Sequence, residues 1–408
     1  MPVILTSPRS ESTTPAPPKL IVWLVVFTVV MLVGVVSTLL SWPKAEPTST
    51  AWFWVRLLVF PALAWCILFG LRLHYYNEET DRQQAEDEVW AEDRAESIRF
   101  ASEPLAVLGH AYLCALNSAD AAQGQTKLSA QGAPLSEGAI RHTTLSLADD
   151  EGSVGRYRSS FMELLGPMAD AISVLPRSVP FDIRLQLPVE ADPALLFNTW
   201  QECWRECDFR PAETSLLAAG KGLMVLDEWL DICGGPELEK ITLYVAVQLH
   251  DKPPAGSAEA AVALLLGWAP LTARKGLPAL ALLHRPVETD LAVLNDAAAL
   301  SLLWGNTEAA QVSDLWQAGL SKADKPALVK ASSDLALGIS QTDDLSGIHD
   351  IDVAIGNAGV AASWLALAMA VEHATTTGKA QWIACRENTL RLAIAQPASQ
   401  DDNVEQKG

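Results

Sequence analysis

Apolar residues are distributed unevenly along this chain. Leu20 to Trp42 carries no charged side chain, and a run of that length spans the hydrocarbon core of a bilayer as one helix. A second apolar run, Ala51 to Leu71, is interrupted only by Arg56. Together they predict an N-terminal two-helix transmembrane hairpin over residues 19–72. The first run is too long for the apolar region of a signal peptide, and a second span follows closely. Arg56 lies near the start of its run, so its guanidinium can snorkel to the interface, where Trp52, Phe53 and Trp54 suit an aromatic belt. Pro61 predicts a kink in the second span, with the lost hydrogen bond compensated by neighbouring contacts.

The pattern changes after the hairpin. Residues 73–99 are dense in charge and predict a solvated juxtamembrane helix. From residue 100 onward, short apolar runs alternate with helical ones. Strands are expected over Pro104–Leu116, Phe181–Leu187, Ile241–Leu249, Ala260–Trp268 and Leu277–His284, and a closing hairpin over Ala380–Cys385 and Thr389–Ala395. Helices are expected over Phe161–Val174, Ala194–Glu206, Thr214–Ile232, Asp290–Trp304 and Gly359–His373. The helix over Thr214–Ile232 should stop at Gly234–Gly235. Residues 118–155 read as a Gly, Ser and Ala-rich loop. Very apolar strands alternating with helices predict an α/β body whose sheet is covered on both faces. The chain divides on this reading into two α/β halves, 100–238 and 239–397, with disordered tails at 1–18 and 398–408.

Charge narrows the function. A formal net charge of −20 excludes a nucleic-acid partner, which needs a basic surface, and a polybasic membrane-surface mechanism. Arg9 and Lys19 before the spans, and Arg72, Arg82, Arg94 and Arg99 after them, place both ends in the cytoplasm by the positive-inside rule. Six cysteines, Cys66, Cys114, Cys203, Cys207, Cys233 and Cys385, are too scattered for a disulfide framework and read as reduced thiols. Cys203 and Cys207 stand at i, i+4, without further Cys or His at metal-ligand spacing nearby. His74, His110, His142, His250, His284, His349 and His373 show no metal spacing. No cofactor is expected.

The familiar catalytic signatures are missing from the sequence. It contains no G-x-S-x-G elbow, no G-x-x-x-x-G-K-[ST] loop, no H-E-x-x-H and no G-x-G-x-x-G after a strand. Trp200, Trp204, Trp304 and Trp316 are candidate interface anchors, with core packing the competing role.

The order of elements from about residue 195 to 396 resembles the thiolase-like fold of ketoacyl synthases. In that family a nucleophilic Cys opens a buried helix in a C-S-S-S-L pattern followed by small residues. The similar stretch here is Ala212-Glu213-Thr214-Ser215-Leu216 before Leu217-Ala218-Ala219-Gly220, so Ala212 would stand at the nucleophile position. The family's strand, Gly/Glu loop and second strand resemble Ile241–Leu249, Gly256-Ser257-Ala258-Glu259 and Ala260–Gly267. Its G-H-T-G-A-A-x-G motif, where the His is catalytic, resembles Gly356-Asn357-Ala358-Gly359-Val360-Ala361-Ala362-Ser363. Asn357 would replace the His, and an amide cannot shuttle a proton near neutral pH. The resemblance implies a thiolase-like fold whose thiolate and imidazole are both absent.

The whole layout, a membrane hairpin joined to a two-part Ala-rich α/β body, resembles the adaptors encoded beside type VI secretion phospholipase toxins. The likeness extends to the character of Ile351–His373 and Ile383–Ala395. It implies a non-enzymatic adaptor or chaperone at the bacterial inner membrane, with a lipase effector toxin and the secretion spike protein as partners. Two other readings stay open. One is a thiolase-like acyl-transfer enzyme with a relocated nucleophile such as Cys207 or Cys233. The other is an immunity protein that neutralises a toxin.

Overall fold

The computed structural model describes residues 16–43, 47–115, 142–145, 147, 152–218, 220–341 and 346–398. The tails expected at 1–18 and 398–408 and the loop expected at 118–155 lie largely outside the described residues. The chain forms two units, one within Ile4–Ser97 and one from Ile98 onward.

The first unit contains two helices long and apolar enough to cross a membrane, Leu20–Ser41 and one that begins at Ala51 and runs to Ala101. They are antiparallel. Their aromatic rings meet in pairs: Trp23 with Phe69 at 5.3 Å, Phe27 with Trp65 at 5.1 Å and Trp42 with Phe53 at 4.9 Å. The Trp65 indole N–H donates to the Trp23 carbonyl at 3.0 Å. Between these pairs Gly34 faces Pro61 so closely that a Cβ would lie 2.1 Å from the proline ring. Only a hydrogen fits there. The second helix accommodates Pro61 through a π-helical turn at Val55–Val59, a widened turn that relieves the local ladder. Within that turn the Arg56 carbonyl accepts from the Thr38 hydroxyl at 3.3 Å. The acidic stretch continues the helix Phe60–Ala101 without a break. Arg82 pairs along it with Glu79 and Glu86, the i, i+3 and i, i+4 neighbours of a solvated helix face.

The second unit is built on one sheet. Its strands are β1 (Leu105–Leu113), β3 (Phe181–Gln186), β4 (Glu213–Leu216), β5 (Ile241–Gln248), β7 (Ala260–Trp268), β8 (Ala281–Leu283), β9 (Val287–Thr289), β10 (Val312–Ala318), β11 (Ile348–Asp350), β12 (Ala380–Arg386) and β13 (Leu390–Pro397). A separate short pair joins β2 (His142–Thr143) to β6 (Ser257–Ala258). The spatial order is β11-β10-β12-β13-β8-β1-β7-β5-β3-β4, with β9 on β13. This order is one pattern used twice. In each half the main strands lie third, second, fourth, fifth, first. The second is parallel to the third and fourth, and the fifth is antiparallel to both its neighbours. The two first strands, β1 and β8, pair antiparallel and join the halves. Residues 239–268, read from the sequence as opening the second half, complete the first.

Side-chain alternation explains the layers. On β5, Ile241, Leu243, Val245 and Val247 enter one core, while Tyr244 and Ala246 enter the other. On β7, Ala261, Ala263 and Leu265 face the first core, and Ala260, Val262, Leu264 and Leu266 the second. A strand buried on both faces needs apolar residues at every position, which is why β5 and β7 read as continuous apolar runs. The helices Gly152–Ser173 and Pro193–Glu206 cover one face. The helix Ala362–Thr377 lies under the other and touches strands of both halves. Its many alanines let it approach the sheet on nearly every side.

Three sequence expectations fail for identifiable reasons. Thr214–Ile232 is not one helix. Glu213–Leu216 is an edge strand parallel to β3, and the helix begins only at Met224. Gly220 at φ +83° and Gly222 at φ +41° break the run with left-handed turns. The strand expected at Leu277–His284 shrinks to Ala281–Leu283. Finally β9, β10, β11 and the helix Asp324–Asp334 fall where the apolar pattern announced no elements.

Candidate functional site

In each half a helix follows the third strand: Met224–Leu230 after β4, and Ala362–Thr377 after β11 and the short helix Ile351–Ala354. These are the helices whose openings matter for the resemblance to condensing enzymes. Ala212 does not open the first of them. It precedes β4, partly buried against the core under β3. The residues between β4 and the helix are Leu217 to Leu223, with no Cys, Ser, Thr or His among them.

That loop is held by charge from the β12–β13 turn. The Arg391 guanidinium donates to the carbonyls of Lys221 and Gly220, each at 2.9 Å, and pairs with the Glu387 carboxylate. Glu387 also accepts from the Ser363 hydroxyl at 2.8 Å, which ties it to the second helix. A Cβ on Gly222 would overlap the Glu387 carboxylate, and one on Gly220 would lie 2.7 Å from the Asn388 amide. The carboxylate thus lies against Gly222, and Arg391 is 4 % exposed. Close by, Cys385 is buried, and that burial pushes its thiol up to about 12. Such a thiol stays protonated at neutral pH and is inert as a nucleophile.

The stretch just ahead of the second helix is also tied down. Asn357 bridges to Ser257: its N–H donates to the Gly256 carbonyl and its carbonyl accepts from Ala258 N–H, each at 2.8 Å. Its side-chain oxygen accepts from Gly359 N–H at 2.8 Å, and Gln248 accepts from Val360 N–H at 3.2 Å. These two amides belong to the short 3-10 turn Gly359–Ala361 that precedes the helix.

Beside Asn357, Ser257 and His142 lie 2.7 Å apart, the reach of a nucleophile and its base. The Ser257 hydroxyl lies equally close to the Pro254 carbonyl, at 2.7 Å, so its one hydrogen has two acceptors to choose between and the tautomer of His142 sets which it takes. Next to this pair sits Glu259, fully buried. Burial alone would raise its carboxyl. The Arg156 guanidinium and the N–H groups of Leu145 and His250 outweigh burial and hold it below the usual range.

The other residues singled out in the sequence lie elsewhere. Burial and the adjacent Glu206 push the Cys207 thiol up, opposite to the direction that activates a nucleophile. Cys233 is exposed after the helix Met224–Leu230. Trp200, Trp204, Trp304 and Trp316 are all buried, so they pack the core and anchor no interface. Glu387 and Arg391, which the sequence reading missed, are the residues that define the site.

No family model matches the chain, and no curated protein does. Solved structures do. The ketosynthase from module 1 of the bacillaene synthase of Bacillus amyloliquefaciens FZB42 superposes with a TM-score of 0.52 at 12 % identity, over 74 % of this chain and 77 % of that one. The ketosynthase from module 6 of the bacillaene synthase of Bacillus subtilis 168 gives 0.51 at 10 % identity, over 73 % and 71 %. Ketosynthase twelve of the Bacillus amyloliquefaciens bacillaene polyketide synthase gives 0.50 at 11 %, over 73 % and 74 %.

The body has the thiolase-like ketosynthase fold.

The repeated strand order is the framework of this fold, and the fold class read from the sequence stands. At this identity the likeness carries architecture and no activity, because function resides in the site grafted on a fold.

Proposed function

We propose that this chain is a membrane-anchored, non-enzymatic adaptor that binds a lipase effector of type VI secretion and brings it to the secretion spike protein. The observation that carries the proposal is the first helix opening. Where the resemblance calls for a nucleophilic Cys, the loop Leu217–Leu223 offers no thiol, hydroxyl or imidazole, and Arg391 and Glu387 brace it from the opposite hairpin. Asn357, which cannot relay protons, lies ahead of the second helix, in the stretch whose resemblance calls for a His. A large thiolase-like body without acyl chemistry suits a binding platform, and the layout resemblance supplies the partners. The two apolar helices would hold the body at the inner membrane with both ends in the cytoplasm.

The test is co-purification. The full chain, solubilised from its own membranes in mild detergent, should retain a phospholipase-like toxin at near-equal stoichiometry by mass spectrometry, and deletion of its gene should abolish secretion of that toxin. Recovery of acyl carrier protein as the stoichiometric partner would overturn the adaptor reading. So would self-killing on deletion with secretion intact, the behaviour of an immunity protein.

A further inference from the structure

Spacing along the chain gives the seven histidines no metal pattern, but the fold brings two of them to one carboxylate. Asp314 on β10, His349 on β11 and His373 on the helix Ala362–Thr377 converge at the second half of the sheet. β10 and β11 are parallel neighbours with Trp316 opposite His349. Asp314 and Trp316, two residues apart, share a face. Asp314 Oδ1 lies 2.9 Å from His349 Nε2 and 3.5 Å from His373 Nε2. One donor atom from each residue falls within 4.8 Å of the others.

We propose that Asp314, His349 and His373 form a binding site for a divalent transition-metal ion of the zinc class. Zinc binds imidazole nitrogen and carboxylate oxygen at about 2.0–2.2 Å in a tetrahedron, which sets its ligand atoms about 3.3 Å apart. The observed separations bracket that spacing, so small side-chain rotations open the cluster around an ion. The donor set of two imidazoles and one carboxylate suits borderline divalent metals and discriminates against calcium and magnesium, which take oxygen ligands.

A second layer of contacts orients the ligands. The Ser313 hydroxyl donates to Asp314 Oδ2, and the Gln381 amide lies 3.5 Å from the same oxygen. This leaves Oδ1 facing the histidines. Gln381 is itself fixed by the Trp316 indole N–H at 3.0 Å. The Trp316 ring stacks on His349 with centroids 4.2 Å apart and planes 22° from parallel. Partners of this kind set ligand orientation in metal sites. The side chain of His349 is 1 % exposed, whereas Asp314 is 13 % and His373 17 % exposed. An ion would enter past His373, and a fourth ligand, water or a group from a partner, would bind on that side. The bound ion would cross-link β10, β11 and the central helix within the second half.

The site is independent of the adaptor reading and is tested without it. Tag-free full chain in detergent is stripped with a chelator, then titrated with Zn2+ by equilibrium dialysis and with Co2+ by visible absorption. The expected result is one equivalent of Zn2+ per chain and the absorption bands of tetrahedral cobalt. His373→Gln and the isosteric Asp314→Asn should each weaken Zn2+ binding at least tenfold. His373 lies at the edge of the core, so the glutamine variant is expected to fold, which circular dichroism checks. Absence of saturable Zn2+ binding by the wild type overturns the proposal, as does binding of unchanged affinity in folded His373→Gln or Asp314→Asn.

Discussion

Arg391→Met lowers the stability of the body by about 3–5 kcal/mol, the cost of removing one partner from a buried ion pair. The methionine keeps the apolar stem and deletes the guanidinium. Glu387, 14 % exposed, is then left against the Gly220–Gly222 turn without its counter-charge, and the carbonyls of Lys221 and Gly220 lose their donor. The loss of these two hydrogen bonds is contained in that figure. Arg391→Lys should recover only part, because one ammonium cannot reproduce the fork that reaches two carbonyls and a carboxylate. The double variant Arg391→Met/Glu387→Gln should be less destabilised than Arg391→Met alone, since it removes the stranded charge. Denaturant unfolding of the solubilised chain, followed by tryptophan fluorescence, checks the order wild type, double variant, single variant. A single variant as stable as wild type would show that the ion pair does not hold the loop.

Asp352→Asn acts in the opposite direction and depends on pH. Asp352 lies on the short helix after β11. Burial and the neighbouring Asp350 carboxylate push its carboxyl up to about 6, against the pull of Lys325 and the N–H groups of Gly319 and Leu320. Its Oδ1 is buried without a hydrogen-bond partner among the described residues. The folded state therefore holds this proton more tightly than the unfolded chain does. The stability it contributes is fully present below about 4, the ordinary aspartate range, and is lost as pH rises through about 6. Two pH units correspond to about 3 kcal/mol as an upper bound. Asparagine mimics the protonated acid at every pH. The variant should match wild type near pH 4 and exceed it by about 1–3 kcal/mol at pH 7.5. Thermal melts at the two pH values test this, and equal gains at both would place the effect in packing and not in the proton.

Much of the fold is legible in the sequence, and the limits have physical causes. β5, β7, β12 and β13 are apolar at nearly every position because helices cover both faces, and Pro253, Pro254 and Gly256 mark the turn between the first two. β10 escapes the pattern because it buries Asp314 and Gln317, with Ser313 half-buried, within an apolar strand, and Asp314 is met by His349 and His373 from elsewhere in the chain. The stretch from Thr214 to Ile232 reads as a helix because apolar content masks two glycines whose left-handed φ only the structure reveals. The site was half legible. Asn357 lies shortly ahead of the second helix, before the turn Gly359–Ala361, whereas Ala212 falls before a strand that the sequence pattern does not announce. Glu387 and Arg391 reach a turn about 170 residues away, and no local periodicity carries that information. The one available signal was an arginine alone in the apolar run Leu390–Ala395. The metal cluster was hidden for the same reason, since its ligands come from three elements.

The central claim is that a thiolase-like scaffold here has given up acyl transfer. It is tested most directly by incubating the purified full chain with acyl-coenzyme A and with acylated carrier protein, then measuring intact mass before and after hydroxylamine, which cleaves thioesters. The account predicts an unchanged mass in every case, because Leu217–Leu223 holds no thiol or hydroxyl and Cys385 stays protonated. A stoichiometric, hydroxylamine-sensitive acyl adduct on any cysteine of the body would contradict it.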